Sequence, residues 1–289
     1  MRVTLPMMYN ATTRDILRKQ ESVSRLSREI SSGVRLHNPH DDPAAWGRSL
    51  DVQHMLQRMA RYKDNLDFAA NMLTLADSGL NHVHDLLVRA QEIAMAANTP
   101  NSSKEKTAYS EELDHLLDEL ALTVSQTFKG QSVFSGKPVW NETEEVWEWE
   151  PARAAEDPLQ VVLGDGTDPM TVPCDLSGTI PDVMNAIESL KSFIEDEDSA
   201  GMTSVLQDLD AAMEQTRTLS AQVGVRWTGV QRRRDALDEL TGHWQEQLSE
   251  LRDTDIVQAI TTLQTHQIAL EAALKSSLVL KDLSLVHYL

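Results

Sequence analysis

The sequence is short of several things, and each shortage excludes something. A single cysteine, Cys174, in 289 residues rules out an intrachain disulfide and any zinc site built on cysteines. Aromatic residues make up only 5% of the chain, which argues against a large β-sandwich or an aromatic-lined barrel. Basic residues are few beside acidic ones: 26 Lys and Arg face 45 Asp and Glu, a formal charge of −19. That balance repels phosphate backbones and argues against nucleic acid as a partner, while keeping a free subunit soluble. No run approaches the roughly 18–20 uncharged apolar residues of a membrane span, so no membrane partner is expected. The start is also without an apolar stretch of about 7–15 residues, so no cleaved secretory signal is expected. Pro6 breaks the short apolar opening, and Arg14, Asp15, Arg18 and Lys19 follow. These features alone describe a soluble, cytosolic chain.

Helical periodicity fills most of the sequence. From Met59 and Tyr62 through Leu66, Ala69, Leu73, Ala76, Leu80, Val83, Leu87, Ala90 and Ala94 to Ala97, apolar residues recur at alternating steps of three and four. An unbroken heptad seam of this length predicts one long helix. It begins at Pro43, with Asp41 and Asp42 as candidate N-caps, and ends at Asn98-Thr99-Pro100. A second helix is expected from Ser102 or Ser103 to about Phe128. A short one runs from Pro181 to about Ile194. A second long seam runs from Met202 to Leu251 and includes Trp227, Arg234 and Trp244. Both tryptophans are expected in the core.

Residues 130–180 break the pattern. Glu145-Val146-Trp147-Glu148-Trp149-Glu150 alternates with period two, which places Trp147 and Trp149 on one strand face. Two further short apolar runs flank Gly164-Asp165-Gly166-Thr167-Asp168 and predict two strands and a turn. The expected fold is mainly α: a long antiparallel helical rod or coiled-coil bundle with paired terminal helices and a small β-rich central insert. Its expected segments are 1–42 (N-terminal helix and turn), 43–129 (first rod part), 130–180 (insert), 181–252 (second rod part) and 253–289 (C-terminal helix).

Both ends are amphipathic. Ile16, Val23, Leu26 and Ile30 share a face near the start, and Gly33 is a helix stop. Near the end, Ile256, Ile260, Leu263, Leu270, Leu274, Leu278, Leu285 and Leu289 form an apolar stripe. Termini fray unless something holds them, so a stripe of this kind points to a partner: the other terminus or another subunit. These twelve residues are the candidate assembly interface. Ordering them costs roughly 1–2 kcal/mol of backbone entropy per residue, against about 1.5–3 kcal/mol for each fully buried large apolar side chain. Mobile ends that order on assembly are therefore expected.

Several motifs carry a family resemblance. Ser31-Ser32-Gly33-Val34-Arg35-Leu36, followed by Asn38-Pro39-His40-Asp41-Asp42-Pro43-Ala44-Ala45, resembles the N-terminal block of the flagellin superfamily, which comprises flagellins and hook-associated proteins. Gly130-Gln131-Ser132-Val133-Phe134-Ser135-Gly136 is similar to its central aromatic-glycine turn. Ser284-Leu285-Val286-His287-Tyr288-Leu289 is similar to its C-terminus. The residues that carry the likeness are Ser32, Gly33, Arg35, Asp41, Asp42, Pro43, Phe134, Gly136 and Tyr288. The opening Met1-Arg2-Val3-Thr4 and the Tyr288-Leu289 end resemble the junction-forming, type 3 hook-associated branch more than flagellin. Val133 departs from the usual aromatic, and the Arg232-Arg233-Arg234 run is not a family feature.

The resemblance implies a structural part of the bacterial flagellum. Such proteins leave the cell unfolded through the flagellar type III export channel, with an uncleaved N-terminal signal and a cytosolic chaperone on the C-terminal helix. They then join copies of themselves in the adaptor ring between hook and filament. Implied partners are those neighbours, the preceding hook-associated protein, and flagellin or the filament cap; the implied location is extracellular. Flagellin itself is the near alternative, and a cytosolic coiled-coil partner-binding protein is the alternative from another class.

The remaining candidates have plainer readings. His82-Val83-His84 does not share a helix face and lacks further ligands, so no metal is expected. The Gly164–Asp168 loop has neither a phosphate-loop Gly-Lys-Ser/Thr nor a calcium-loop ladder, and a hairpin turn is expected there. The arginine run is expected to pair with acids of neighbouring helices or subunits. No nucleophile, base or cofactor loop stands in its required context, so neither catalysis nor a cofactor is expected.

Overall fold

The heptad seams become helices. A computed structural model describes residues 5–98, 103–151, 160–161, 170–171 and 176–286. Helix α1 spans Leu5–Ser32, α2 Pro43–Ala97 and α3 Ser103–Val124. Short strands follow: β1 Thr127–Phe128, β2 Gln131–Ser132, β3 Gly136–Asn141, β4 Val146–Pro151, β5 Gln160–Val161 and β6 Met170–Thr171. Helix α4 spans Ile180–Asp196, α5 Ser199–Arg252 and α6 Ile256–Val286. The fold is mainly α, with the two terminal helices packed on each other and, among the described residues, three two-stranded antiparallel sheets. The turn between β5 and β6, and Cys174, lie outside the described residues. Among the described residues no helix is long and apolar enough to cross a membrane.

The chain divides into two compact units, residues 58–239 and residues 1–57 with 240–289. In the first, every seam position of α2 from Leu66 to Ala97 is buried. Each large one contributes about 1.5–3 kcal/mol relative to exposure. Met72, Leu86 and Ile93 add a second buried row, because α2 belongs to a core shared with α3, α4 and α5. Polar contacts set the register of α2 and α5. Lys63 Nζ meets Asp238 at 2.6 Å, Arg234 meets Asp67 at 3.2 Å, and Gln91 Nε2 donates to Asp210 at 2.8 Å. Each step up α2 is matched by an equal step down α5, so the two helices run antiparallel.

The strands begin before residue 130. Helix α3 stops at Val124, four residues short of Phe128, because Lys129 and Gly130 both take positive φ and make a two-residue hairpin turn between β1 and β2. Phe128 then packs against Phe68, the rings tilted by 42° with centroids 5.5 Å apart. Val133 and Phe134 are fully buried, so this first part of the segment belongs to the core. Phe134 fits because Gly79 on α2 has no side chain: a Cβ there would lie 2.6 Å from the ring. Gly136 is equally constrained, since a Cβ would lie 2.5 Å from the Glu150 carbonyl. Strand β4 alternates as its sequence indicates and pairs with β3, bringing Trp147 edge-on to Trp140 at 5.4 Å. Asn185 of α4 holds β4 with two bonds, accepting from the Trp147 N–H at 2.6 Å and donating to its carbonyl at 3.1 Å.

One core expectation is corrected. Trp227 is 42% exposed rather than an anchor; it sits on the rim of the α5 seam, while Val223 and Val230 carry the buried positions. Trp244 is half-buried. Arg234 is half-exposed, with Asp67 as its partner.

Candidate assembly interface

The second compact unit holds nearly all the residues singled out at the two ends. Helix α1 stops at Gly33, whose φ of +71° is the left-handed conformation that closes helices and favours glycine. Ser32 Oγ donates to the Arg28 carbonyl at 2.8 Å and accepts from the Val34 N–H at 3.2 Å. The chain then runs beside the bend between α5 and α6. Arg35 N–H donates to the Arg252 carbonyl at 2.7 Å, Thr254 N–H donates to the Gly33 carbonyl at 2.9 Å, and Val34 bridges to Asp253. The Arg35 guanidinium donates to the Leu251 carbonyl at 3.0 Å, placing a cation on the C-terminal end of α5, where the helix dipole favours one. This clamp joins the C-terminal end of α1 to the N-terminal end of α6, so the two terminal helices run antiparallel.

The two aspartates divide the work. Asp41 Oδ2 accepts the N–H groups of His37 and Asn38 at 3.1 and 2.9 Å and holds the loop. Asp42 Oδ1 accepts those of Ala44 and Ala45 at 3.1 and 2.9 Å, capping α2 with Pro43 as its first residue. Asp255 caps α6 in the same way, through the Gln258 N–H at 3.1 Å. Beside the clamp opens a cleft of about 450 Å³, lined in part by Val34, Leu36, Trp46, Leu50, His37 and Arg252.

The terminal helices differ in how much they leave uncovered. On α1, Leu26 is buried, and Ile16, Val23 and Ile30 are half-buried. On α6 the covered face is Ala259, Thr262, Leu263, His266, Ala269, Leu270 and Ala273. Leu263 and Leu270 of the expected stripe therefore lie on the covered side. Ile256, Ile260, Leu274 and Leu278 remain exposed, Leu278 at 63%. Val257 at 77% and Ile268 at 69% widen this bare strip, and the sequence pattern alone did not single them out. The side chain of Leu285, and Tyr288 and Leu289 altogether, fall outside the described residues. Of the motif residues in the other unit, Phe134 and Gly136 serve the core and the β3–β4 pairing.

Charge is divided as unevenly as exposure. Residues 58–239 hold 15 Lys and Arg against 33 Asp and Glu, while residues 1–57 with 240–289 hold 11 against 12. The unit with the bare apolar strip is almost neutral. His82 is paired with Glu119 at 2.9 Å. Among the described residues no group of three His, Cys, Asp or Glu is placed to hold a metal.

Comparison with known proteins places these features. The family described as the bacterial flagellin N-terminal helical region matches residues 3–138. Flagellar hook-associated protein 3 of Salmonella typhimurium is 28% identical over 138 residues, covering 47% of this chain and 44% of that protein. A flagellin of Halalkalibacterium halodurans is 20% identical over 249 residues, covering 85% of this chain and 83% of that one. The solved structure of a flagellar hook-associated protein from Vibrio parahaemolyticus superposes with a TM-score of 0.66 at 17% identity, over 74% of this chain and 100% of that chain; at that identity the likeness is one of fold. The aligned stretch thus spans less than half the length of the hook-associated relative. Residues 3–138 are thus similar in sequence to the bacterial flagellin N-terminal helical region, and the helical fold is that of the Vibrio parahaemolyticus structure.

Proposed function

We propose that this chain is a structural component of the bacterial flagellum that joins hook to filament, built into an adaptor ring by self-assembly through α1 and α6. The observation that carries the reading is the bare strip Ile256, Val257, Ile260, Ile268, Leu274 and Leu278, which lies beside a face of α6 that is already covered. Exposed apolar surface of this continuity marks an interaction site. The near-neutral charge of the same unit lets copies approach without strong repulsion, while the acidic unit keeps the waiting subunit dispersed. Ile16, Val23, Leu26 and Ile30 then support the strip from α1 rather than forming the contact alone.

The further parts of the reading rest on relatives. Two of them carry names of hook-associated protein 3, which favours the junction over the filament shaft. The partners are then sister copies, the preceding hook-associated protein, flagellin or the filament cap, and a cytosolic export chaperone. The place of work is outside the cell, reached by flagellar export. The role needs no catalysis. Shearing flagella from cells and resolving their proteins tests this. The chain is expected as a minor band beside an abundant flagellin. If it is the main band it is the filament subunit, and if it is missing from sheared flagella the proposal fails.

A further inference from the structure

Two stripes in the acidic unit match each other. On α5, Val225, Gly229, Arg232 and Ala236 recur at steps of four, three and four, which places them on one helix face. Arg233 flanks that face. Val225 is 71% exposed, and Arg232, Arg233 and Ala236 are exposed as well. Arg234, on another face, has Asp67; among the described residues Arg232 and Arg233 have no carboxylate partner. On α3, Glu111, His115, Asp118 and Leu122 recur at the same steps, and all four are exposed, Leu122 at 74%. The neighbouring acids Glu112, Asp114 and Glu119 are taken by Arg89, Lys191 and His82. Among the described residues Glu111 and Asp118 have no cation. One stripe therefore offers two free cations a turn before apolar surface, and the other offers two free carboxylates leading to an exposed leucine.

We propose that the α5 stripe of one copy receives the α3 stripe of a second copy. Arg232, with Arg233 beside it, meets Asp118, Leu122 settles on Ala236, and Glu111 lies two turns further along the same acidic face. This rests on the self-assembly reading above but uses surfaces outside the terminal helices. The charges choose the occupant. Residues 58–239 carry 33 acidic side chains against 15 basic ones, so a phosphate polymer or an anionic membrane is repelled by the surroundings of the arginines. A second copy brings a carboxylate and a leucine at the matching spacing, four residues apart in Asp118 and Leu122 as in Arg232 and Ala236. Because the two stripes are different surfaces, the contact is heterologous, which is the kind that extends a ring or tube.

The test uses the purified full-length chain and sedimentation equilibrium, with circular dichroism to verify the fold. Three variants are compared: R232E/R233E, E111K/D118K, and all four changes together. Exposed ion pairs are individually weak, but reversing two replaces attraction by repulsion, so each double variant is expected to associate about tenfold more weakly. The four-change chain is expected to recover. An equimolar mixture of the two double variants is expected to associate more strongly than either alone, since each supplies the other's missing charge. If R232E/R233E associates as the unaltered chain does, while I260D/L274D does not, this contact is refuted and the terminal-helix reading stands. Failure of both the mixture and the four-change chain to recover places the arginines against other acids of the sister copy and refutes this contact. An unaltered chain that stays monomeric at every concentration sinks both readings.

Discussion

Asp41 shows how far one residue type can be resolved from its neighbours. Two successive aspartates before a proline read as alternative N-caps, and only the geometry assigns the cap to Asp42 and the loop to Asp41. The Asp41 carboxyl is held below the usual carboxylate range. The main cause is the Asn38 N–H; slight burial opposes it, and the His37 N–H and the positive fields of His40 and His37 add to it. A depressed folded-state value means that the group stabilises the fold fully above its unfolded value. That contribution fades as pH falls through the carboxylate range toward the folded value. Asp41→Asn is therefore expected to be less stable than the unaltered chain at neutral pH and equally stable in strong acid. Denaturant titrations at both pH values check this, and a difference that persists unchanged in acid would refute the assignment. Other residue-level facts had no local signal. Gly79 is conspicuous only because Phe134, far along the chain, presses on it, and Trp227 is exposed although Val223 and Val230 on the same seam are buried.

At the scale of elements, periodicity made the helices legible. The long α2 seam, the Gly33 stop and the alternation of β4 all stand where the pattern put them. The hairpin at Lys129-Gly130 was hidden because Phe128 continues the apolar row of α3 and a lysine rarely announces a positive φ. Helix α6 was only half legible. Its apolar residues cover a wide arc, and which part faces inward is fixed by the bend at residues 253–255 clamped to Gly33 and Arg35, a contact across most of the chain. The structure therefore separates two kinds of leucine in one stripe. Ile260 and Leu274 are exposed, so I260D/L274D should keep its helicity and shift stability by no more than about 0.5 kcal/mol. Association should be lost, because the charges would enter an apolar contact between copies. Leu263 and Leu270 are half-buried, so aspartate there should destabilise the chain itself. Thermal melts together with sedimentation distinguish the pairs, and normal association of I260D/L274D would remove the strip from the interface.

At the scale of the whole molecule, the ends depend on each other. Each terminal helix has its counterpart at the opposite end of the sequence, and an isolated helix of this size is only marginally stable in water. Helix α1 spans 28 residues and α6 spans 31. Removing residues 255–289 takes away α6 and uncovers Leu26 and the half-buried Ile16, Val23 and Ile30 of α1. The clamp alone cannot replace that cover, since it fixes only the last turn of α1 through a few backbone bonds. Helical signal should therefore fall by close to the share of both terminal helices, not of α6 alone. Residues 58–239 keep their own core of α2, α3, α4 and α5, so a single cooperative melt should persist in the truncated chain. Self-association should disappear with the strip. Circular dichroism reads the first outcome directly: a loss confined to the 31 residues of α6 would mean that α1 stands without its partner, and the pairing of the two ends would no longer explain why apolar faces lie at both.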